Sequence, residues 1–173
     1  KDYIFKPIFG SLGYNVKLVN EKNVNKYIEK YDNFIIQEKV NDCIFEDTTI
    51  YRVVTLYNGN IFNVYRPSNK HNITSQDGYF VDCNISNCFP NNLIKNKFNE
   101  LVNKLKNLHK IRFNRVISLG WDIIIHCKNK KIELYCLEGN MFCTCYNKNS
   151  SNFKYYNNKY KKIVSEFYRI NNI

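Results

Sequence analysis

The dipeptide Asn58-Gly59 lies between two runs of alternating apolar character, residues 51–57 and 60–66, and nothing else in the chain narrows the fold as much. Asn and Gly tolerate the positive φ that both central positions of a type I′ turn require, so the two runs read as one antiparallel hairpin. A second hairpin is predicted from residues 121–127 and 132–137, joined at Lys128-Asn129-Lys130. The chain is therefore organised by antiparallel pairing, with no need for the long crossovers that parallel strands demand.

The other segments fit around these hairpins. Residues 2–6 read as a strand running into the turn Gly10-Ser11-Leu12-Gly13, and residues 14–19 alternate again, with Val16 and Leu18 on one face. Val24, Tyr27, Ile28 and Tyr31 recur at helical spacing after Asn20 or Asn23 as the N-cap, and residues 34–40 read as a further strand. Pro90 and Asn91-Asn92 open a helix whose Phe98, Leu101, Val102, Leu105 and Leu108 form one apolar stripe. Tyr160, Ile163, Val164 and Phe167 mark a terminal helix. With no internal repeat and no Pro/Gly/Ser linker, the 173 residues form one α+β unit with mainly antiparallel sheets and flanking helices.

Composition removes several function classes. Fourteen Tyr and 12 Phe are incompatible with a disordered polar tail. No apolar run reaches the roughly 18 residues of a bilayer span, and no signal-type apolar core opens the chain, so a cytoplasmic protein is expected. The net charge of +11 is carried mostly by Lys, 21 of the 26 cationic residues, spread along the chain. General polyanion affinity follows, but specific nucleic-acid binding is disfavoured: Tyr160, in the one segment where Lys and Tyr interleave, belongs to the apolar stripe of its helix. The seven Cys match no paired zinc pattern and read as free thiols. Cys143 with Cys145, or Cys83 with Cys88, would hold a metal only with ligands from elsewhere. His71, His109 and His126 are scattered and read as structural.

Two groups of residues carry chemistry. Asp122 lies on the first strand of the second hairpin, and Glu138 and Asn140 lie at the end of its second; residues two apart in a strand share a face. Two carboxylates and an amide oxygen brought together repel one another unless a cation sits between them, and hard oxygen ligands suit Mg²⁺. Lys6, at the end of a strand before Gly10, Ser11 and Gly13, has the character of a phosphate-binding group, since small residues let backbone N–H groups approach phosphate oxygens.

These pieces occur in a recognisable order. Phe5-Lys6-Pro7 with its glycine loop, Ile35-Ile36-Gln37-Glu38, residues 49–55 through Arg52, Leu119-Gly120-Trp121-Asp122-Ile123 and Leu137-Glu138-Gly139-Asn140 resemble the ATP-grasp superfamily. Within it they resemble the group associated with sugar transfer and polysaccharide synthesis, and the Gly-Trp-Asp strand followed by Glu-Gly-Asn is the most specific element. The resemblance implies two subdomains around a nucleotide cleft, a phosphate-loop subdomain with its hinge in 1–40 and a metal-binding subdomain in 41–173. It implies that Lys6 contacts ATP phosphates and that the loop through Gly10, Ser11 and Gly13 closes over them. Gln37, Glu38, Lys39 and Val40 would form the hinge that reads adenine, with Glu46 or Asp47 taking the ribose. Arg52 and Arg66 would face the transferred phosphoryl group, and Asp122, Glu138 and Asn140 would hold Mg²⁺. Asn72 matches a position before a glycine-rich turn, where Asp77 replaces a glycine.

The implied activity is an ATP- and Mg²⁺-dependent carboxylate–amine ligase acting through an acyl-phosphate on small-molecule substrates, in polysaccharide or peptide modification. Such chemistry works by positioning and charge neutralisation and needs no nucleophilic side chain. The alternatives are a kinase on the same fold, which Glu138 in place of Asp disfavours, and a non-catalytic nucleotide- or nucleic-acid-binding module. Members of the family carry a preceding domain, so a chain beginning at Lys1 is expected to be a fragment or to associate with another copy.

Overall fold

The computed structural model describes residues 1–8, 15–40, 50–67, 80–82, 89, 91–128, 131–141 and 153–172. They form two sheets and three α-helices. In the first sheet β1 (Asp2–Pro7) runs between β2 (Lys17–Asn20) and β3 (Phe34–Glu38), antiparallel to both. In the second the order is β6 (Phe80–Asp82), β5 (Ile61–Pro67), β4 (Ile50–Leu56), β7 (Ser118–Lys128), β8 (Lys131–Met141), again antiparallel throughout. The helices are α1 (Val24–Lys30), α2 (Asn92–Arg112) and α3 (Phe153–Asn171).

The small sheet is organised by aromatic packing. Phe5 is fully buried, with its ring 4.4 Å from Phe34 and 5.4 Å from Tyr27 of α1. Val19 pairs with Tyr3 and is buried, whereas Leu18 pairs with Ile4 and is 57% exposed. The strand is shorter than the expected 14–19, and of its two faces the one carrying Val19, not the one carrying Leu18, turns inward. Alternation identifies two faces but not which one a helix will cover. Likewise α1 seats Tyr27 and Tyr31 against the sheet and leaves Ile28 exposed. Asn20 caps a 3₁₀ turn, Glu21–Asn23, by accepting from the Lys22 N–H, and α1 follows directly.

The large sheet holds the main core. One face, lined by Tyr51, Val53, Val64, Leu119, Trp121, Ile123 and Ile125, packs against Ile94, Phe98, Val102 and Leu105 of α2. Asn91 caps that helix by accepting from the Leu93 N–H at 2.8 Å. The expected stripe is right except at its end: Leu108 is exposed and His109 is buried in its place. The reverse face meets α3 through Val54, Leu56 and Phe62 against Tyr160 and Ile163. That contact covers the turn end of the β4–β5 hairpin, and Arg52 and Asp122 lie further along the same face.

The hairpin turn is not type I′. Gly59 has φ 81°, but Asn58 does not adopt positive φ; the Gly59 N–H bonds Leu56 O, and the Leu56 N–H bonds Asn60 O. Tyr57, Asn58 and Gly59 thus make a type I turn closed by a glycine bulge, and the Asn58 side chain accepts from the Asn60 N–H.

His109 completes a buried polar chain. Trp121 Nε1 donates to Thr55 Oγ1 at 2.7 Å, Thr55 Oγ1 lies 2.8 Å from His109 Nδ1, and His109 Nε2 lies 2.8 Å from Val116 O. All partners are satisfied by a neutral ring: the Thr55 hydroxyl donates to Nδ1 and Nε2–H donates to the carbonyl. Burial pushes the imidazole below its ordinary 6.5, with the Val116 bond acting the other way. As pH falls through about 6.5 the unfolded chain takes up this proton before the folded one does. The free energy of unfolding is therefore expected to hold above that pH and to decline below it. Urea unfolding between pH 7.5 and 5 checks this, and His109→Gln should flatten the acid-side slope.

Candidate active site

The site is assembled by strand register. Arg52 on β4 pairs with Asp122 on β7, which pairs with Glu138 on β8, so the three side chains stand in a row across neighbouring strands. Arg52 Nε and Nη2 donate to Asp122 Oδ1 and Oδ2, both at 2.6 Å, a bidentate pair that is nearly withdrawn from solvent. Lys6, on the small sheet, places its Nζ 3.8 Å from Glu138 Oε2. Asn140 Nδ2 donates to Glu138 Oε1 at 3.1 Å.

An irregularity in β8 aims these groups. Ile123 pairs with Cys136 and Asp122 with Glu138, so Leu137 is an extra residue. A one-residue bulge exchanges the two faces of a strand beyond it. On the turn side, His126 pairs with Glu133 and Ile124 with Tyr135; past the bulge, Glu138 and Asn140 join that same face. In an unbroken register Asp122 would meet Leu137, and Glu138 would turn toward α2.

One glycine is tied to the tryptophan across the hairpin. Trp121 pairs with Gly139, and a Cβ on Gly139 would lie 3.0 Å and 3.1 Å from the indole Cζ3 and Cε3. Trp121 has little freedom to retreat, because it is buried and hydrogen-bonded to Thr55. Gly120 pairs with Asn140 alongside it. The Gly-Trp-Asp and Glu-Gly-Asn segments are therefore one packing unit.

The electrostatics favour a cation. Burial pushes the Asp122 carboxyl above the usual range, Arg52 opposes this, and the charge of Glu138 adds to it. Two neighbouring carboxylates and an amide at an open edge fit a hard divalent ion such as Mg²⁺. Among the described residues no three His, Cys, Asp or Glu side chains group as a metal site, so the trio depends on the Asn140 amide. Cys136 is a free thiol pushed up to about 11, with burial the largest cause, so it offers no thiolate at neutral pH.

The remaining expected residues are placed less fully. Gln37 and Glu38 end the edge strand β3, opposite Ile4 and Tyr3. The Lys39 N–H is used by Asp2 O at 2.8 Å, so it cannot read a base; alternation sends the backbone groups of Glu38 to the open edge. Val40 follows. Arg66 lies in β5 opposite Val81, one position beyond Tyr65, the partner of Arg52. Gly10, Ser11, Gly13, Glu46, Asp47, Asn72 and Asp77 lie outside the described residues, as do His71, Cys83, Cys88, Cys143 and Cys145. Residues on the site face that the motif reading missed are Glu133 and Tyr135. Tyr135 donates to Glu133, and that bond, with the charges of Glu133 and of Glu38 across the gap, pushes the phenol up. The strict alternation of β8 before its bulge was the available signal.

No protein-family model matches the sequence, and no curated protein matches it. Among solved structures, the chain is similar to the ATP-grasp ligase PsnB complexed with minimal precursor, Mg and ADP. The TM-score is 0.53 at 12% identity, over 96% of this chain. The fold is an ATP-grasp fold. This chain spans 47% of the PsnB chain.

The indole contact makes Gly139→Ala a sharp test of the site's packing. It should destabilise the protein by about 1–3 kcal/mol, as overpacking a filled site does. Urea denaturation measures this, and an unchanged midpoint would show that Trp121 can yield.

Proposed function

We propose that the chain carries the nucleotide and metal site of an ATP- and Mg²⁺-dependent carboxylate–amine ligase that works through an acyl-phosphate. The observation that carries this reading is the meeting of Lys6, from one sheet, with Arg52, Asp122, Glu138 and Asn140 of the other in an ATP-grasp fold. The two sheets then act as the two lobes of a cleft, divided near residue 40.

Mg²⁺, when bound, would neutralise the β- and γ-phosphates from Asp122, Glu138 and Asn140. Lys6 would hold phosphate oxygens from the opposite lobe, with the loop through Gly10, Ser11 and Gly13 as the segment that would close over them. The backbone of Glu38 and Val40 at the open edge of β3 reads adenine, with Gln37 and Lys39 shaping the hinge and Glu46 taking the ribose. Arg52 and Arg66 balance the charge that develops when a substrate carboxylate attacks the γ-phosphate. An amine then displaces phosphate from the acyl-phosphate, leaving an amide. None of these steps asks for a nucleophilic side chain: cations and donors fixed in position lower the barrier.

The sugar-transfer likeness of the motifs makes a polysaccharide- or peptide-borne acceptor the class to test first, in a cytoplasmic setting that supplies ATP. The decisive measurement is nucleotide binding by titration calorimetry with and without Mg²⁺. Lys6→Ala should weaken ATP binding by about 1.5–3 kcal/mol, the value of a charge-assisted phosphate contact. Glu138→Ala should remove the metal dependence. Unchanged binding in both variants overturns the assignment. ADP formation with a hydroxyl acceptor and with no carboxylate would identify a kinase instead. Polynucleotide binding that falls steeply with salt, without ATP binding, would identify a nucleic-acid module.

A further inference from the structure

Both carboxylates of the site are already matched by donors from the protein. Arg52 takes Asp122 Oδ1 and Oδ2, while Lys6 faces Glu138 Oε2 and Asn140 donates to Glu138 Oε1. Three of the four carboxylate oxygens are thus engaged by the cations that a triphosphate would claim, and the fourth by the Asn140 amide. The two ion pairs are unequal. Arg52 and Asp122 are short, bidentate and 13% and 9% exposed, whereas Lys6 and Glu138 are 3.8 Å apart and 21% and 47% exposed. The looser, wetter pair opens at less cost.

Resting on the ATP reading of this site, we infer that metal and nucleotide enter by an exchange of partners: Lys6 leaves Glu138 for the phosphates, and Glu138 is thereby released to the metal. A divalent ion arriving alone must compete with Lys6 for Glu138 and then share the carboxylate with an ammonium close by. A nucleotide arriving alone must draw Lys6 away and leave Glu138 beside Asp122 without a counter-charge. Each ligand removes the obstacle to the other. The coupling is reciprocal, so each raises the other's affinity by the same factor.

The experiment counts free Mn²⁺ by electron paramagnetic resonance in the 173-residue chain, with and without a non-hydrolysable ATP analogue, after subtraction of the Mn²⁺ that the same analogue chelates without protein. In the parent chain the analogue should tighten Mn²⁺ binding by about tenfold or more, within the usual range of such couplings. Lys6→Met should move the two affinities in opposite directions: Mn²⁺ alone binds several-fold more tightly, the analogue binds more weakly, and the coupling shrinks to what direct metal–phosphate contact supplies. Lys17→Met removes the same charge from the α1 face of the small sheet, where Lys17 donates to Tyr31, and it should change neither Mn²⁺ affinity nor coupling. Circular dichroism confirms that each variant is folded.

If the analogue binds but Lys6→Met leaves the affinity for Mn²⁺ alone unchanged, or changes it no more than Lys17→Met does, the exchange is wrong while the nucleotide site stands. If the analogue binds under no metal condition, the nucleotide reading fails and takes the exchange with it.

Discussion

One surplus residue in β8 governs the site. Because Leu137 has no partner on β7, the strand changes phase between Cys136 and Glu138, and a carboxylate that would face α2 faces Asp122 instead. The polar contacts made by β8 follow from that change. Glu138 reaches Lys6, Asn140 reaches Glu138, and Asp122 acquires a like-charged neighbour beside the arginine that already holds it. Next to the bulge Trp121 packs on Gly139, with the indole hydrogen-bonded to Thr55 and, through it, linked to His109. An apolar core and a polar site therefore share one tryptophan.

The two faces of the large sheet divide the work. The α2 face buries a continuous cluster from Tyr51 to Ile125. The other face is covered by α3 at the hairpin end, where Val54, Leu56 and Phe62 are sealed. Beyond that cover the same strands present Arg52, Asp122 and Glu138. Charges there are stable only in pairs, since an uncompensated carboxylate at the burial of Asp122 would cost several kcal/mol. A site built this way presents anionic and cationic side chains together, which is what the proposed metal–triphosphate would require.

Local patterns carried much of this. Both hairpins, the Asn91 cap, the Phe98–Val102–Leu105 stripe and the grouping of Asp122, Glu138 and Asn140 are readable because each depends on spacing within one or two elements. The failures share a cause. Leu18 and Val19 are both apolar, and only the position of α1 says which is inside. Leu108 and His109 compete for the last turn of α2, and His109 wins because Thr55 and Val116 satisfy its ring. The Asn58-Gly59 turn could close with two loop residues or three, and the chain takes three. The bulge at Leu137 was invisible, since no local signal marks a residue that simply lacks a partner.

The sequence by itself determined most of the elements that form, though not β6, that their pairing is antiparallel, and which residue types are gathered at the second hairpin, because propensity, turn chemistry and alternation act over a few residues. Tertiary structure decided phase and approach: which face of each strand is covered, where β8 slips, and that Lys6 comes within 3.8 Å of Glu138 across 132 positions of chain. Those outcomes depend on how separate elements share one core and neutralise one another's charge, and no segment carries that information alone.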